Sequence, residues 1–445
     1  MKRFQFVFYL AALILAYSAN IGFAQTSGTS YKFLFGQGKT VPGYIRVKTS
    51  SVYSKQAGYG FDFGTSPVII ERNGKNPLIS GVCTSNKPFY FSVYLPEGNY
   101  RVKMTLGDLK AAANTTVRAE SRRLMLEKIQ TNPGQFITRT FTVNMRVPEI
   151  KGTNDKVKLK PRELTKLNWD DKLTFEFNGS RPCISSLEIT PVTGVVTVYL
   201  AGNSTVVDQD DEPWASWGQM ITKYFKPEVV VSNQAESGLT LGSFLADKRL
   251  EKVLSTMKAG DYLFIEFGHN DQKDKLPNAL DKYRERLKTF ISKTREKGGI
   301  PVVVTSTNRL SFDSTGRIIN TLAGYPDAAR QIAKEENVAL IDLNAMTKVF
   351  YEALGVEKSQ KAFVIYPAGT FPGQTTAFND HTHFNSYGAY ELARCIVEGI
   401  RANKLGLSKY LRDGLPAFDP AHPDPVETFS LPLSPKSSVI KPDGN

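Results

Sequence analysis

The chain has 445 residues, with 56 Lys+Arg against 43 Asp+Glu, a formal net charge of +13 and 41% hydrophobic content. That apolar content excludes a disordered chain, and the length exceeds what one ordinary core encloses, so two domains are expected. The three cysteines leave room for one bridge at most.

Lys2 and Arg3 open the chain, residues 6–17 are unbroken apolar, and Gly22 and Ala24 precede Gln25. This order of a basic start, an apolar run and small residues predicts a signal peptide over 1–24, cut before Gln25. No later stretch is long and apolar enough to insert in a membrane. The expectation is therefore export to the periplasm or the medium.

Residues 25–193 carry short alternating segments at 89–95, 100–106, 136–143, 173–177 and 186–189, separated by Gly, Pro and Asn. Period-two alternation between turn residues predicts an all-β sandwich of jelly-roll type. Pro96-Glu97-Gly98-Asn99 marks a tight connection. Cys83 and Cys183 could bridge in an oxidising compartment or stay as buried thiols, and both readings remain open.

After Pro191-Val192-Thr193-Gly194 the rhythm changes. Continuous apolar runs at 195–201, 229–232, 262–267, 301–305 and 338–343 alternate with amphipathic patterns at 241–257, 280–297, 328–336 and 387–402. This predicts an α/β domain over 194–410, a parallel sheet covered on both faces, with its site at the strands' carboxyl ends. Cys395 falls on the last helical pattern, and residues 411–445 form a Pro-rich tail.

Charge divides unevenly. Residues 25–193 hold 25 Lys+Arg and 13 Asp+Glu, a net of +12; residues 194–445 hold 29 and 30, a net of −1. A basic surface concentrates polyanions such as polyuronates, or merely keeps the β region soluble. An exported protein is a poor candidate for nucleic acid, so no nucleic-acid partner is expected.

Ser204 follows the first predicted strand in Gly202-Asn203-Ser204-Thr205. The third predicted strand ends at Gly268-His269-Asn270-Asp271, and Asp380-His381-Thr382-His383 precedes the last helix. A serine hydroxyl needs a neutral imidazole to take its proton, and a carboxylate to fix that imidazole. Amide donors must then bind the developing oxyanion. Four histidines narrow the base to His269, His381, His383 or His422. Three candidate ligands, Asp380, His381 and His383, within four residues suit no common zinc spacing, so no metal is expected.

These blocks resemble the SGNH (GDSL-type) hydrolase superfamily, and within it the second half is similar to rhamnogalacturonan acetylesterases. The nucleophile block differs from the usual pattern in carrying Asn203 where Asp precedes the serine. Asn233-Gln234-Ala235-Glu236-Ser237-Gly238 resembles the second block, and Trp217-Gly218-Gln219 resembles the acetylesterase subgroup. The resemblance implies a flavodoxin-like three-layer α/β/α fold and a triad of Ser204, Asp380 and His383. It also implies an oxyanion hole of the Ser204 and Gly238 N–H groups with the Asn270 amide, no cofactor, and a monomer. The first half is similar to galactose-binding-like modules. The implied substrate is an acetylated acidic polysaccharide such as rhamnogalacturonan or pectin. Another acetylated polymer such as xylan, or a dead hydrolase fold that only binds carbohydrate, are the rival readings.

Overall fold

The computed structural model describes residues 30–443 apart from 37, 39 and 40, so the expected leader lies outside the described residues. Between Tyr31 and Pro191 the alternating segments pair into two five-stranded sheets and a smaller three-stranded one. One large sheet centres on Gly98–Gly107 and Ser186–Pro191, the other on Phe89–Tyr94 and Lys172–Arg181. Along Gly98–Gly107, Tyr100, Val102, Met104 and Leu106 point inward, and they share a core with Phe33 of the same sheet and with Phe91, Phe175 and Phe177 of the facing one. Each such side chain, fully buried, contributes roughly 1.5–3 kcal/mol. The sandwich is therefore held by its own apolar core.

Cys83, Cys183 and Cys395 are buried free thiols. Cys83 pairs across the ladder with Ile184, and Cys183 with Thr84. Adjacent strand positions face opposite sides, so the two thiols point to opposite faces of the sheet and the bridge does not form.

From Val196 onward a five-stranded parallel sheet runs Val229–Asn233, Val196–Gly202, Tyr262–Glu266, Ile300–Val304, Ala339–Ile341. In chain order that is 2-1-3-4-5, the flavodoxin-like arrangement, with the crevice where the order reverses. Its two faces carry separate cores. One packs under Trp217 and the helix Ser386–Ala402, the other under Ala279–Glu296 and Tyr325–Glu335. Gly202 pairs with Glu266 on the last rung, so the chain leaves the first and third strands side by side.

The pattern at 241–257 becomes two helices, Leu241–Ala246 and Arg249–Thr256, because Lys248 adopts a left-handed φ of 59°. The break serves the β region: the Asp247 carbonyl accepts from Lys158 N, and Lys248 pairs with Asp155. The fifth strand stops at Ile341, and Asp342 caps a helix over Leu343–Lys358 that the alternation does not announce.

The two regions share a polar, buried interface. Arg123 is 1% exposed and donates to Asp208 Oδ2 at 2.7 Å, while Arg122 pairs with Glu212 at 2.5 Å. Leu124 packs into the core of the parallel-sheet domain. In the reverse sense Arg249 and Lys252 reach Glu163 and Glu97. The Pro-rich tail folds back over this junction: Lys436 O accepts from Glu212 N, and Ser434 Oγ donates to Glu176.

Candidate active site

The strand Val196–Gly202 delivers Ser204 on a turn that Asn203 builds. Asn203 Oδ1 accepts from Thr205 N at 3.1 Å and Thr205 Oγ1 at 2.9 Å, while its carbonyl accepts from Val206 N and Val207 N. An aspartate could accept the same two bonds, so the exchange keeps the turn and leaves Asn203 Nδ2 as a buried donor without a partner. Beneath the turn, Glu266 Oε1 lies 2.8 Å from Thr205 Oγ1, and Oε2 accepts from Trp217 Nε1 at 2.6 Å. Burial pushes its carboxyl up to about 7 against these contacts. Gln209 Nε2 donates to the Ser204 carbonyl at 2.9 Å. Gly218 lies so close that a Cβ there would sit 1.9 Å from the Val206 carbonyl oxygen.

The second block is fixed from both sides. Asn233 Nδ2 donates to Val206 O at 2.7 Å and Asp208 Oδ1 at 2.8 Å. Glu236 Oε1 accepts from Ser237 N at 2.9 Å, and Gly238 takes a φ of +78°. Burial opposes ionisation of Glu236, but the charges of Lys166, Arg162 and Arg249 bring it down to about 2. Two β-region cations hold the next peptide: Lys160 Nζ donates to Ser237 O at 2.6 Å and Arg162 Nη2 at 3.0 Å. The C=O and N–H of one trans peptide point opposite ways, so the Gly238 N–H is turned away from both cations. Polarising the carbonyl also strengthens that N–H as a donor. Among the described residues, neither the Ser204 N–H nor the Gly238 N–H has a hydrogen-bond acceptor.

After the third strand, Gly268 has a φ of +147°, and a Cβ would meet Ser306 Oγ at 2.5 Å. Asn270 Nδ2 places one hydrogen on Leu239 O at 3.1 Å, next to Gly238 in sequence, and keeps a second. Asp271 accepts from Leu241 N at 2.9 Å, and burial lifts its carboxyl to about 6. It orders the loop. His269 is fully buried with both ring nitrogens unpartnered. Burial, with the charges of Arg309 and His383, lowers it to about 3, so it stays neutral.

Asp380 and His383 lie on the strand Phe378–Phe384, in a hairpin with Phe363–Tyr366. Strict alternation would put residues three apart on opposite faces. A bulge solves this: Phe363 pairs with Phe384, but Val364 already pairs with Asp380. Asp380 Oδ1 accepts from the N–H groups of Thr382 and His383, at 2.9 and 3.0 Å, and Oδ2 lies 2.7 Å from His383 Nδ1. Burial raises the carboxyl, yet these contacts outweigh it and hold Asp380 well below the usual carboxylate range. With Nδ1–H given to Asp380, His383 Nε2 presents a lone pair. That nitrogen is buried and unpartnered among the described residues, and Ser204 Oγ makes no hydrogen bond to it. The strand is tied to the nucleophile loop instead through Ala215 N, which donates to Phe384 O at 2.8 Å. His381 points elsewhere, toward Leu310 O and Asn379 Oδ1, and His422 pairs with Asp419 on the surface.

Residues 200–389 match the GDSL-like Lipase/Acylhydrolase family, and residues 31–142 match the Beta-agarase/YXIM esterase-like, galactose-binding domain-like family. The rhamnogalacturonan acetylesterase RhgT of Bacillus subtilis is 42% identical over 218 residues, 48% of this chain and 94% of the relative. The chain belongs to the GDSL-like lipase/acylhydrolase family. It is a carboxylic ester hydrolase, and a β domain of the galactose-binding-like kind precedes the hydrolase domain. An uncharacterized esterase of Bacillus subtilis, YxiM, is 28% identical over 413 residues, 90% of this chain and 98% of its own. A crystal structure of protein YXIM from that organism, at 26% identity, covers 85% of this chain and 99% of its own with a TM-score of 0.45.

Several residues around the esterase site carry no local signal in the sequence. Lys160, Arg162 and Lys166 reach Glu236 and Ser237 from 70 or more positions away. Lys441, in the tail, lies 3.5 Å from Asp380 Oδ2. Arg122-Arg123 could have drawn notice as adjacent cations inside a β pattern, but nothing in the pattern names Glu212 and Asp208 as their partners.

Proposed function

We propose that this esterase removes acetyl groups from an acidic plant cell-wall polysaccharide, acetylated rhamnogalacturonan first. Ser204 is the nucleophile, His383 the general base and Asp380 its orienting acid. Ser204 Oγ attacks the acetyl carbonyl as His383 Nε2 takes its proton. Asp380 keeps the imidazole in the Nε2-accepting tautomer and stabilises the imidazolium that forms. The N–H groups of Ser204 and Gly238 and the second Asn270 amide hydrogen receive the oxyanion. The sugar alcohol leaves with the proton from His383, and water repeats the sequence to release acetate. No cofactor enters.

The observation that carries this reading is the buried Asp380–His383 pair with its open Nε2, in a chain of which 218 residues align at 42% identity with a rhamnogalacturonan acetylesterase. Acetate release from a panel of acetylated rhamnogalacturonan, homogalacturonan, xylan and mannan tests the substrate. The reading predicts the highest kcat/KM on rhamnogalacturonan; a preference for xylan or mannan would overturn it. Export belongs to the same reading, and a secreted protein whose mass begins at Gln25 would support it, whereas retention with an intact leader would not.

A further inference from the structure

We propose that the cleft between the β domain and the hydrolase domain is a binding groove for the polymer chain, in which the open face of Phe63 stacks on a sugar ring and lysines face its carboxylates. This rests on the polysaccharide reading above and adds a site to it.

The cleft has a volume of about 530 Å³, within the range of small-molecule sites. Phe63 and Tyr90 of the β domain, Lys166 and Asp210 at the domain junction, and Pro435 and Lys436 of the tail all line it. It adjoins a second cleft of about 200 Å³ through four shared residues, Thr165, Lys166, Asp210 and Lys436. That second cleft includes Gln209, Ser237 and Lys441. Gln209 bonds the Ser204 carbonyl, Ser237 precedes Gly238, and Lys441 faces Asp380. A chain lying in the groove therefore extends from the ester site onto the β domain.

Phe63 is the clearest sign of a ligand. It is 53% exposed, so its ring gains little from burial. Its backbone takes a φ of 52°, a left-handed conformation that costs a non-glycine residue about 1–2 kcal/mol. One ring face is occupied, with Lys172 Nζ 4.6 Å from the centroid, and Tyr90 meets an edge at 5.2 Å between centroids. Phe63 also lines the cleft. Glu120 and Arg122, also on the cleft wall, take φ values of 56° and 62°. Three of the nine non-glycine residues with positive φ among the described residues thus line one cleft. Such strain persists where surroundings enforce it, and it gathers at ligand sites.

The charge fits an acidic chain. Asp210 is matched by Lys166 and Glu176 by Arg118, while burial pushes the Glu120 carboxyl up, against ionisation. Lys87 and Lys436 are exposed cations on the rim, the latter 3.2 Å from Asp211.

The test is titration calorimetry with a deacetylated rhamnogalacturonan oligosaccharide, alongside acetate release from the acetylated polymer, using the full chain. Phe63→Gly should weaken binding at least tenfold. It should melt no lower than wild type, because glycine accepts this φ without strain. Phe63→Trp should keep most of the affinity. Lys87→Ala combined with Lys436→Ala should weaken binding and flatten its salt dependence. Val52→Ala, equally apolar and 69% exposed but outside the cleft, should bind as wild type does. Wild-type affinity in Phe63→Gly, or a loss matched by a fall in melting temperature, would overturn the groove. A wild-type enzyme that deacetylates the polymer yet binds no oligosaccharide would also overturn it, leaving the substrate reading intact. A wild type that releases no acetate from rhamnogalacturonan fails the substrate reading instead.

Discussion

The hydrolase domain and the β domain differ in what each could do without the other. Ser204, Gly238, Asn270, Asp380 and His383 all belong to the hydrolase domain, and a relative of about half this chain's length matches that domain nearly end to end. The β domain supplies none of the proposed reacting groups. It supplies the cations that hold the Ser237 carbonyl, and the arginines that neutralise Asp208 and Glu212. A domain of net +12 beside one of net −1 thus spends part of its charge inward, on buried carboxylates around the esterase site. The exchange runs both ways, since Glu163, Glu97, Glu127 and Asp155 of the β domain pair with cations of the hydrolase domain. Most of the +12 therefore remains for the surface. Cutting the chain near Val195 would orphan several buried charges, each costing about 3–5 kcal/mol. Truncation would measure misfolding; single substitutions are the informative way to separate the two roles.

The largest effect should lie wholly inside the hydrolase domain. Asp380→Asn removes the acceptor that fixes the His383 tautomer while preserving shape, and kcat on an aryl acetate should fall roughly 10⁴-fold. A fall under tenfold in a folded variant would remove Asp380 from the triad. A smaller effect should cross the boundary. Arg162→Met takes one of two cations from the Ser237 carbonyl and one from Glu236, and kcat should fall roughly tenfold with KM nearly constant. Arg162→Lys should recover part of it. A change in KM alone would make Arg162 a substrate contact and break the claim that the β domain positions the oxyanion turn.

The smallest effect concerns stability. Glu266 is raised to about 7 in the folded protein from about 4.5 unfolded, so the folded state binds the extra proton between those values. Its contribution is fully present below pH 4.5 and is lost as pH rises through 7. Melting temperatures should show this decline in wild type and a flatter profile in Glu266→Gln. Parallel profiles would mean that Glu266 is ionised throughout.

Much of the hydrolase domain was readable because its strands are continuous apolar runs bounded by Gly and Pro, and its four blocks sit where those runs end. The Asp-x-x-His spacing was readable as a motif, but the bulge that makes it work was not, since it depends on pairing with Phe363 and Val364. The helix Leu343–Lys358 escaped because Asp342 reads as the end of a strand until its capping bond to Ala345 is seen. The break at Lys248 was hidden for a similar reason: the β domain stabilises it by taking the Asp247 carbonyl. Local pattern reports what a segment buries. It is silent on ion pairs between residues 70 or more positions apart, and those join the two domains.

Ser204 should be the residue acylated during turnover. A fluorophosphonate probe added to the full chain, followed by peptide mass mapping, tests it directly. The expected result is a single adduct on Ser204, complete loss of aryl-acetate hydrolysis in step with labelling, and no labelling of Ser204→Ala. An adduct on another residue, or full activity in a folded Ser204→Ala protein, would contradict it.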